Sequence, residues 1–349
     1  MYRFKILEEQ KRKRRKRRIF WFLVFPLILI TFSAVGYGTY LYKKANTVIS
    51  DSYQEIEGRE GKSNKRDSYV NPLKDNVSIL FIGVDDNEER NYGEKSRSDA
   101  LMLATLNEKD KSVKLLSIPR DSYVYIEDAK RYSKINHAHY HGGPKATIET
   151  VEDLLDIPVD YFVRMNFYAF MEVIDALNGI TVNVPFEFSE QDSKDKANAI
   201  KLEPGIQTLN GEEALALART RKMDNDVERG KRQQLIMEAI LDKATNVKSV
   251  GKYGKVIEAI GSNMKTNMTF DEMASLIDYG LSGKLNVEPV TLDGQDTRIN
   301  GIYYWQLDEE ALENTKTMLK NHLEVSSLKD HDNQDFTMKD SEEEADLSN

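Results

Sequence analysis

Charged side chains that could bind a metal ion and phosphate flank three apolar runs of this sequence. Asp85 follows the first run, Arg97 and Asp99 precede the second, and Arg120 and Asp121 follow the third. In open α/β sheets, ligands bind at the carboxyl ends of strands, where two carboxylates could hold a hard divalent cation such as Mg²⁺. On these residues alone, ordinary ion pairs between solvated loop charges are the simpler interpretation.

A second group of charged and amide side chains follows later in the chain. It consists of Arg219, Arg221, Asp224, Asp226, Glu228, Arg229, Arg232, Gln233 and Gln234. Arg219 and Arg221 stand at the end of an apolar helical pattern, whereas Arg229 and Arg232 are spaced to share one helical face. Guanidinium groups bind phosphate oxygens through a bidentate fork, so the group could hold a pyrophosphate. The alternative is a salt-bridge network on a surface helix.

Three histidines alternate in the segment Asn136–His141. On a strand, His137, His139 and His141 would share one face, and three imidazoles can hold zinc. Gly142 and the residues after it interrupt an extended conformation, so a histidine-rich loop is the simpler interpretation. We therefore expect the three histidines to be dispensable for metal binding.

The apolar runs that carry the first group of charges have the composition of strands buried on both faces. They cover residues 77–84, 100–106 and 113–118. Further strands are predicted at 159–166, 180–184 and 287–292, and helices at 145–155, 167–177, 211–220, 226–245, 270–281 and 308–323. The pattern predicts an α/β fold with a central mixed sheet flanked by helices in three αβα layers.

The amino-terminal residues indicate a membrane anchor. Residues 1–18 contain ten Lys or Arg and two Glu, and residues 19–42 contain no charged side chain. As a helix, residues 19–42 would be about 36 Å long, which exceeds the roughly 30 Å of bilayer hydrocarbon. The basic flank predicts a cytoplasmic tail and an outward-facing domain. A cleaved signal peptide, or nucleic-acid binding by the basic tail, is the alternative interpretation.

Charge and composition limit what the rest of the chain can be. The whole chain carries −9 and residues 1–18 carry +8, so the remainder carries −17, which argues against a DNA-binding domain there. The absence of cysteine excludes disulfides, thiolate nucleophiles and Cys-ligated zinc. We expect a polar linker at 43–75, one domain at 76–325 and an acidic, disordered tail at 326–349.

Several short motifs follow one another along the chain: Gly83-Val-Asp85, Ser96-Arg-Ser-Asp99, Ile118-Pro-Arg-Asp121, Lys134-Ile-Asn136, Gly142-Gly143, Gly179-Ile-Thr-Val182, Leu209-Asn-Gly211, Ala218-Arg-Thr-Arg221 and Arg229–Gln234. In content and in order, these motifs resemble the LytR-CpsA-Psr family. The resemblance spans roughly residues 75–245. It implies a single-pass type II cell-membrane protein with an extracellular catalytic domain. Such a protein transfers glycopolymers such as wall teichoic acid from a polyprenyl-pyrophosphate carrier to peptidoglycan.

The resemblance also implies roles for individual residues. Asp85 and Asp99 match the aspartates that the family associates with Mg²⁺. The matching phosphate-binding residues are Arg97, Arg120, Arg219, Arg221, Arg229, Arg232 and Gln233. Asp121 would orient Arg120 or support the metal ion from outside its ligand shell.

The implied reaction is a phosphotransfer that forms a phosphodiester during cell-wall assembly. A peptidoglycan hydroxyl would attack the phosphorus that carries the polymer, and Asp85, Asp99 or a water molecule would accept its proton. The expected partners are the lipid-linked glycopolymer, peptidoglycan and membrane lipid, with no nucleic acid. The alternative function is a noncatalytic cell-envelope regulator that binds lipid or glycan on the same fold. A transcription regulator is disfavoured because the sequence shows no helix-turn-helix pattern.

Overall fold

The computed structural model describes residues 39–40, 42–44, 46–85, 96–221, 226–246, 255–256 and 261–325. The chain divides into two compact units, residues 1–47 and residues 48–349, and the described part of the first unit is helical. Within the described ranges, no helix is both long enough and apolar enough to cross a membrane. The predicted basic tail, nearly all of the predicted span at 19–42 and the whole predicted acidic tail at 326–349 lie outside these ranges.

The second unit alternates strands and helices. Its strands are β1 (Val77–Val84), β2 (Ser98–Asn107), β3 (Ser112–Ser117), β4 (Tyr123–Ile126), β5 (Arg131–Lys134), β6 (Tyr161–Asn166), β7 (Ile180–Val184), β8 (Phe188–Glu190), β9 (Ile200–Leu202), β10 (Gly205–Leu209), β11 (Met264–Thr266), β12 (Asn286–Thr291), β13 (Gly294–Ile299) and β14 (Ile302–Leu307). Its helices are α1 (His137–Leu155), α2 (Phe167–Ala176), α3 (Gly211–Arg219), α4 (Asp226–Ala244), α5 (Phe270–Leu281) and α6 (Glu309–Leu323).

A six-stranded sheet in the order β11-β6-β1-β2-β3-β12 forms the centre of this unit. β1 is parallel to β6 and β3 is parallel to β12, whereas the other neighbouring pairs are antiparallel. The sheet is therefore mixed, as predicted. The predicted strands at 77–84, 100–106 and 113–118 are β1, β2 and β3, with ends that agree within two residues.

Both faces of the sheet are covered, which explains the nearly continuous apolar composition of β1. Leu80 and Ile82 belong to one core cluster, which includes residues of α1 and α6. Ile79 lies on the opposite face of the sheet, in a cluster against which residues of α5 pack. Met102 lies on that face as well, in another cluster that residues of α4 cover. A further cluster joins α2, α3 and the antiparallel pair of β7 and β10. The prediction of helices around a central mixed sheet is confirmed.

Residues 48–75, predicted as a linker, contact the α/β body through buried side chains. The Arg59 guanidinium donates to a carboxylate oxygen of Glu152 and to the Val159 carbonyl. Glu152 also accepts from the Ser63 hydroxyl at 2.5 Å and from the Val159 amide at 2.8 Å. Burial raises the pKa of Glu152 despite the attraction of Arg59. The ion pair therefore attaches this segment to the end of α1 at a substantial desolvation cost.

Replacing Arg59 by methionine tests this attachment. The side chains of Arg59 and Glu152 are 3% and 6% exposed, so Arg59→Met leaves a buried carboxylate without its counter-charge. We expect the free energy of unfolding in urea to fall by about 3–5 kcal/mol. Lys65→Met is the control, because its partner Asp156 is 51% exposed and such a pair contributes about 0–1 kcal/mol. Equal losses in the two variants would contradict the prediction.

Candidate active site

A cavity of about 350 Å³ lies between the sheet and helices α2, α3 and α4. Its apolar lining includes Phe81, Met102, Met165, Phe167, Phe170, Leu215, Ile236, Met237 and Ile240. Its charged lining consists of Asp85, Asp99, Arg120, Arg219, Arg221 and Arg229. The first and second groups of charges found in the sequence are thus brought together in one cavity.

A β-bulge places Asp99 in this cavity. The register of β1 against β2 shifts between Gly83 and Val84, which leaves Asp99 as the extra residue of β2. Such a bulge redirects the side chain and bends the strand locally. Asp99 Oδ1 accepts a hydrogen bond from Arg120 Nη1 at 2.6 Å. Asp85, the residue after β1, lines the same cavity.

Asp226, the first residue of α4, holds three arginines together. Its carboxylate lies 3.1 Å from Arg229 Nη1, 3.4 Å from Arg120 Nε and 3.8 Å from Arg221 Nε. The Asp226 side chain is only 11% exposed, so solvent screens these attractions weakly. The sequence pattern includes Asp226 in the second charged group but gives it no role. The one local signal is its spacing of three residues from Arg229 on a helix.

Arg229 connects α4 to β2. Its Nη2 donates to the Asp99 carbonyl oxygen at 3.2 Å. Burial lowers the pKa of Arg229 to about 10, which leaves the guanidinium charged at neutral pH. Within the described ranges, the buried Nε atoms of Arg120 and Arg229 have no hydrogen-bond acceptor. Both side chains line the cavity, where their positive charge would attract an anionic ligand.

The helix α3 carries Arg219 to the cavity. A capping box between Asn210 and Glu213 begins this helix, and its last residue is Arg219. The Arg219 guanidinium lies 5.0 Å from the centroid of the Phe167 ring, a cation–π distance. Arg219 and Arg221 also line a neighbouring surface depression with Glu190 and Gln191. These two arginines thus connect the cavity with the exposed surface.

Arg232 and Gln233 contact the end of α3 in different ways. Gln233 lines the cavity and donates to the Ala218 carbonyl at 3.3 Å. Arg232 lies outside the cavity lining, where it donates to the carbonyls of Leu217 and Thr220 at 3.3 and 2.5 Å. A guanidinium at the last carbonyls stabilises the carboxyl end of a helix. Arg232 is therefore placed to position Arg219 and Arg221.

Arg97 and Asp121 also lie outside the cavity lining. Arg97 is exposed. Asp121 is buried, and its Oδ1 atom lies 2.7 Å from Lys134 Nζ. Its Oδ2 atom lies 3.9 Å from Arg120 Nε, which is close enough for an electrostatic influence on Arg120. The phosphate contact predicted for Arg97 and the orienting role predicted for Asp121 stay predictions.

The three histidines lie in the first turns of α1 and not on a strand. Arg164 Nε donates to His139 Nε2 at 3.2 Å, so His139 donates from Nδ1 to the Ser96 carbonyl at 2.7 Å. Burial lowers the pKa of His137 to about 4, and its Nδ1 atom contacts the Ser133 hydroxyl. Across the described ranges, no group of three or more histidine or acidic side chains is arranged to hold a metal ion. The zinc interpretation assumed a strand, whereas residues two apart on a helix point in different directions. That the histidines are dispensable for metal binding stays a prediction.

The fold and cavity define an α/β protein suited to hold an anionic group attached to an apolar chain. The LytR_cpsA_psr family profile matches residues 39–321, and this chain belongs to that family.

Relatives agree with this membership over nearly the whole chain. The polyisoprenyl-teichoic acid–peptidoglycan teichoic acid transferase TagT of Bacillus subtilis is 38% identical over 325 residues, which cover 91% of this chain and 100% of TagT. A structure of TagT bound to LIIa-WTA has a TM-score of 0.67 at 40% identity and covers 78% of this chain and 100% of that one. A structure of the LytR-CPS2A-psr family protein YwtF (TagT) with bound octaprenyl pyrophosphate lipid has a TM-score of 0.63 at 38% identity, with coverage of 78% and 100%.

Close contact between α2 and α3 sets one wall of the cavity, and Gly211 permits it. A Cβ on Gly211 would lie 2.5 Å from the Met171 carbonyl oxygen and 2.7 Å from its Cα. Because these are backbone atoms, Gly211→Ala must separate the two helices. We expect the free energy of unfolding in urea to fall by about 1–3 kcal/mol.

Gly283→Ala is the matched control for Gly211→Ala, because no heavy atom of the described structure lies within 4 Å of an added Cβ there. We expect its unfolding midpoint to stay near that of the parent chain. Equal midpoints for Gly211→Ala and the parent chain would show that the helices separate without cost.

Proposed function

We propose that this protein transfers an anionic, teichoic acid-like glycopolymer from a polyprenyl-pyrophosphate carrier to a peptidoglycan hydroxyl. The single observation that carries the proposal is one cavity with an apolar lining and four arginines, Arg120, Arg219, Arg221 and Arg229. The apolar part suits a prenyl chain, and the guanidinium groups suit a pyrophosphate. The transferase name of the related TagT and its complex with octaprenyl pyrophosphate support the same activity.

The reaction needs positioning and charge neutralisation more than covalent participation by the protein. The acceptor hydroxyl attacks the phosphorus that carries the polymer, a new P–O bond forms, and the bond to the bridging oxygen breaks. Polyprenyl phosphate then leaves. Arg120, Arg219 and Arg221 stabilise the charge that develops on the phosphate oxygens. Asp226 keeps Arg120 and Arg221 close together despite their like charge.

We further propose that Asp85 and Asp99 hold Mg²⁺ during this reaction. The two carboxylates line one cavity, and Mg²⁺ in phosphate sites commonly uses one or two carboxylates together with substrate phosphates and water. The donor set therefore fits the ion, which would supply neutralisation of the pyrophosphate charge. Arg120 holds the Asp99 carboxylate in position through its hydrogen bond. The acceptor proton passes to Asp85, to Asp99 or to a water molecule.

The proposed location is the cell membrane, with a single-pass type II topology. Residues 1–18 would face the cytoplasm, residues 19–42 would span the membrane, and the domain from residue 76 onward would be extracellular beyond the linker at 43–75. The change from a basic tail to an uncharged run supports this arrangement, because positive flanks remain in the cytoplasm. An extracellular domain would also have access to peptidoglycan.

The direct test incubates the purified chain with a defined polyprenyl-pyrophosphate glycan, peptidoglycan oligomers and Mg²⁺. Transfer releases polyprenyl phosphate and creates a new phosphodiester on the oligomer, and both products are measurable by mass spectrometry. Binding of the polyprenyl-pyrophosphate glycan, the donor substrate, without either product would instead favour the noncatalytic regulator.

Alanine substitution of the cavity arginines should weaken donor binding and slow transfer. Loss of one charge-assisted hydrogen bond costs roughly 1.5–3 kcal/mol, so the affinity should fall about tenfold to a hundredfold. We expect this result for Arg120→Ala, Arg219→Ala and Arg221→Ala in donor titrations of folded protein. Lysine at Arg219 or Arg221 should restore little, because a point charge cannot reproduce the guanidinium fork.

Arg298→Ala is the control for the arginine series, because this exposed side chain bonds the Gly301 carbonyl outside the cavity lining. Its donor affinity should match that of the parent chain. Full transfer activity in all three cavity variants would show that these arginines only form ion pairs within the protein.

Asp85→Ala and Asp99→Ala should reduce turnover together with its response to Mg²⁺. Each change removes oxygen ligands, so higher Mg²⁺ should be needed while donor binding is retained in part. The measurement is the transfer rate across a Mg²⁺ titration after chelator treatment. Asp153→Ala, at an exposed position of α1, is the control. A titration curve for Asp99→Ala that matches the parent chain would limit Asp99 to its ion pair with Arg120.

A further inference from the structure

Five tyrosines on two hairpins form a continuous group beside the candidate active site. This tyrosine patch consists of Tyr123, Tyr125, Tyr132, Tyr303 and Tyr304. On the β4–β5 hairpin, Tyr125 pairs with Tyr132, and Tyr123 pairs with Lys134. Because residues two apart and directly opposite share a face of a hairpin, these side chains lie on one side of it.

Ring contacts connect four members of the tyrosine patch, and the fifth, Tyr303, lies near Lys134. The centroid of Tyr132 lies 5.3 Å from that of Tyr123 and 5.3 Å from that of Tyr125. Tyr123 contacts Tyr304 of β14 at 4.8 Å, with the two rings close to perpendicular. The Trp305 amide donates to the Asp121 carbonyl at 2.9 Å, which holds β14 beside the start of β4. The rings therefore form one surface across two hairpins.

Packing into the hydrophobic core does not explain why these tyrosines are grouped, because two of the rings are exposed to solvent. Tyr132 is 58% exposed and Tyr125 is 44% exposed, whereas Val124 and Ile126 on the other side of β4 are buried in the core. A contiguous exposed apolar surface indicates a binding function more strongly than isolated exposed side chains do. Tyrosine suits such a surface because its ring is apolar and its hydroxyl forms hydrogen bonds.

One lysine connects the tyrosine patch to the cavity. Lys134 Nζ lies 5.6 and 5.8 Å from the ring centroids of Tyr303 and Tyr304. The same atom lies 2.7 Å from Asp121 Oδ1, and Asp121 is next to the cavity residue Arg120. A ligand on the patch would therefore extend toward the phosphate-binding arginines.

We propose that the tyrosine patch binds the glycan backbone of the peptidoglycan acceptor and directs its hydroxyl toward Arg120. A pyranose ring has C–H faces that pack on aromatic rings and hydroxyl edges that bond to phenol groups. Lys134 is already paired with Asp121, and the Tyr303 hydroxyl donates to Asp296 at 2.8 Å. Aromatic ring faces beside already paired charges suit sugar rings better than a chain of phosphodiesters, so the acceptor fits better than the donor polymer. The assignment of the acceptor rests on the proposed function, whereas glycan binding does not require turnover.

The test measures binding of peptide-free peptidoglycan glycan strands to the full chain in detergent micelles, without donor. We expect Tyr132→Ala and Tyr125→Ala each to weaken strand binding roughly tenfold, the loss of one aromatic contact, and to raise the acceptor KM in transfer assays similarly. Donor affinity should stay unchanged. Tyr132→Phe should retain most of the strand binding, because it keeps the ring.

Tyr69→Ala is the matched control, because Tyr69 is 67% exposed and lies outside the patch. Its strand binding should equal that of the parent chain, and all variants should keep the parent unfolding midpoint. The inference is overturned if the patch variants bind strands normally, if Tyr69→Ala weakens binding equally, or if the parent chain binds no strands. It is also overturned if a free teichoic acid polymer competes for the patch more strongly than the strands do. If strands bind through the patch but no phosphodiester forms, the glycan surface stands and the proposed transfer function fails.

Discussion

The interaction on which the candidate site depends is the contact of one largely buried carboxylate, Asp226, with three guanidinium groups. Arg120, Arg221 and Arg229 come from a loop after β3, a loop after α3 and helix α4. Without a shared counter-charge their repulsion would favour separation of these segments. The carboxylate offsets that repulsion, and the arginines still outnumber the aspartates in the cavity lining. The result is a preorganised anion site with an excess of positive charge.

The rest of the fold brings those segments to one place. The bulge in β2 turns Asp99 toward Arg120, and Gly211 allows α3 to lie directly against the backbone of α2. The same helices supply Phe167 and Leu215 to the apolar lining. The charged cluster and the apolar lining of the cavity are thus built from the same elements and lie side by side. A ligand with a charged group on a lipid chain needs both at this spacing.

Glycan and lipid would approach the reacting phosphate from different elements. The apolar lining comes from the central sheet and from α2, α3 and α4, whereas the tyrosine patch comes from the β4–β5 and β13–β14 hairpins. Arg120 lines the cavity, and its neighbour Asp121 pairs with Lys134 beside the tyrosine rings. In the proposed function, this separation would give each substrate its own surface and would place the transfer step where the surfaces meet.

The sequence by itself determined the buried strands, most helices and the charged groups beside them, because apolar periodicity is a local property of the chain. It missed the short hairpins at residues 123–134 and 294–307, whose tyrosines are brought together only by packing. The tertiary structure decided that Asp226 joins the arginines, that Arg232 bonds the end of α3, and that the histidines lie on a helix. The first two depend on which segments distant in the chain come together, which residue spacing does not encode. The third is local, because the spacing of two residues suggested a strand whereas the backbone there is helical.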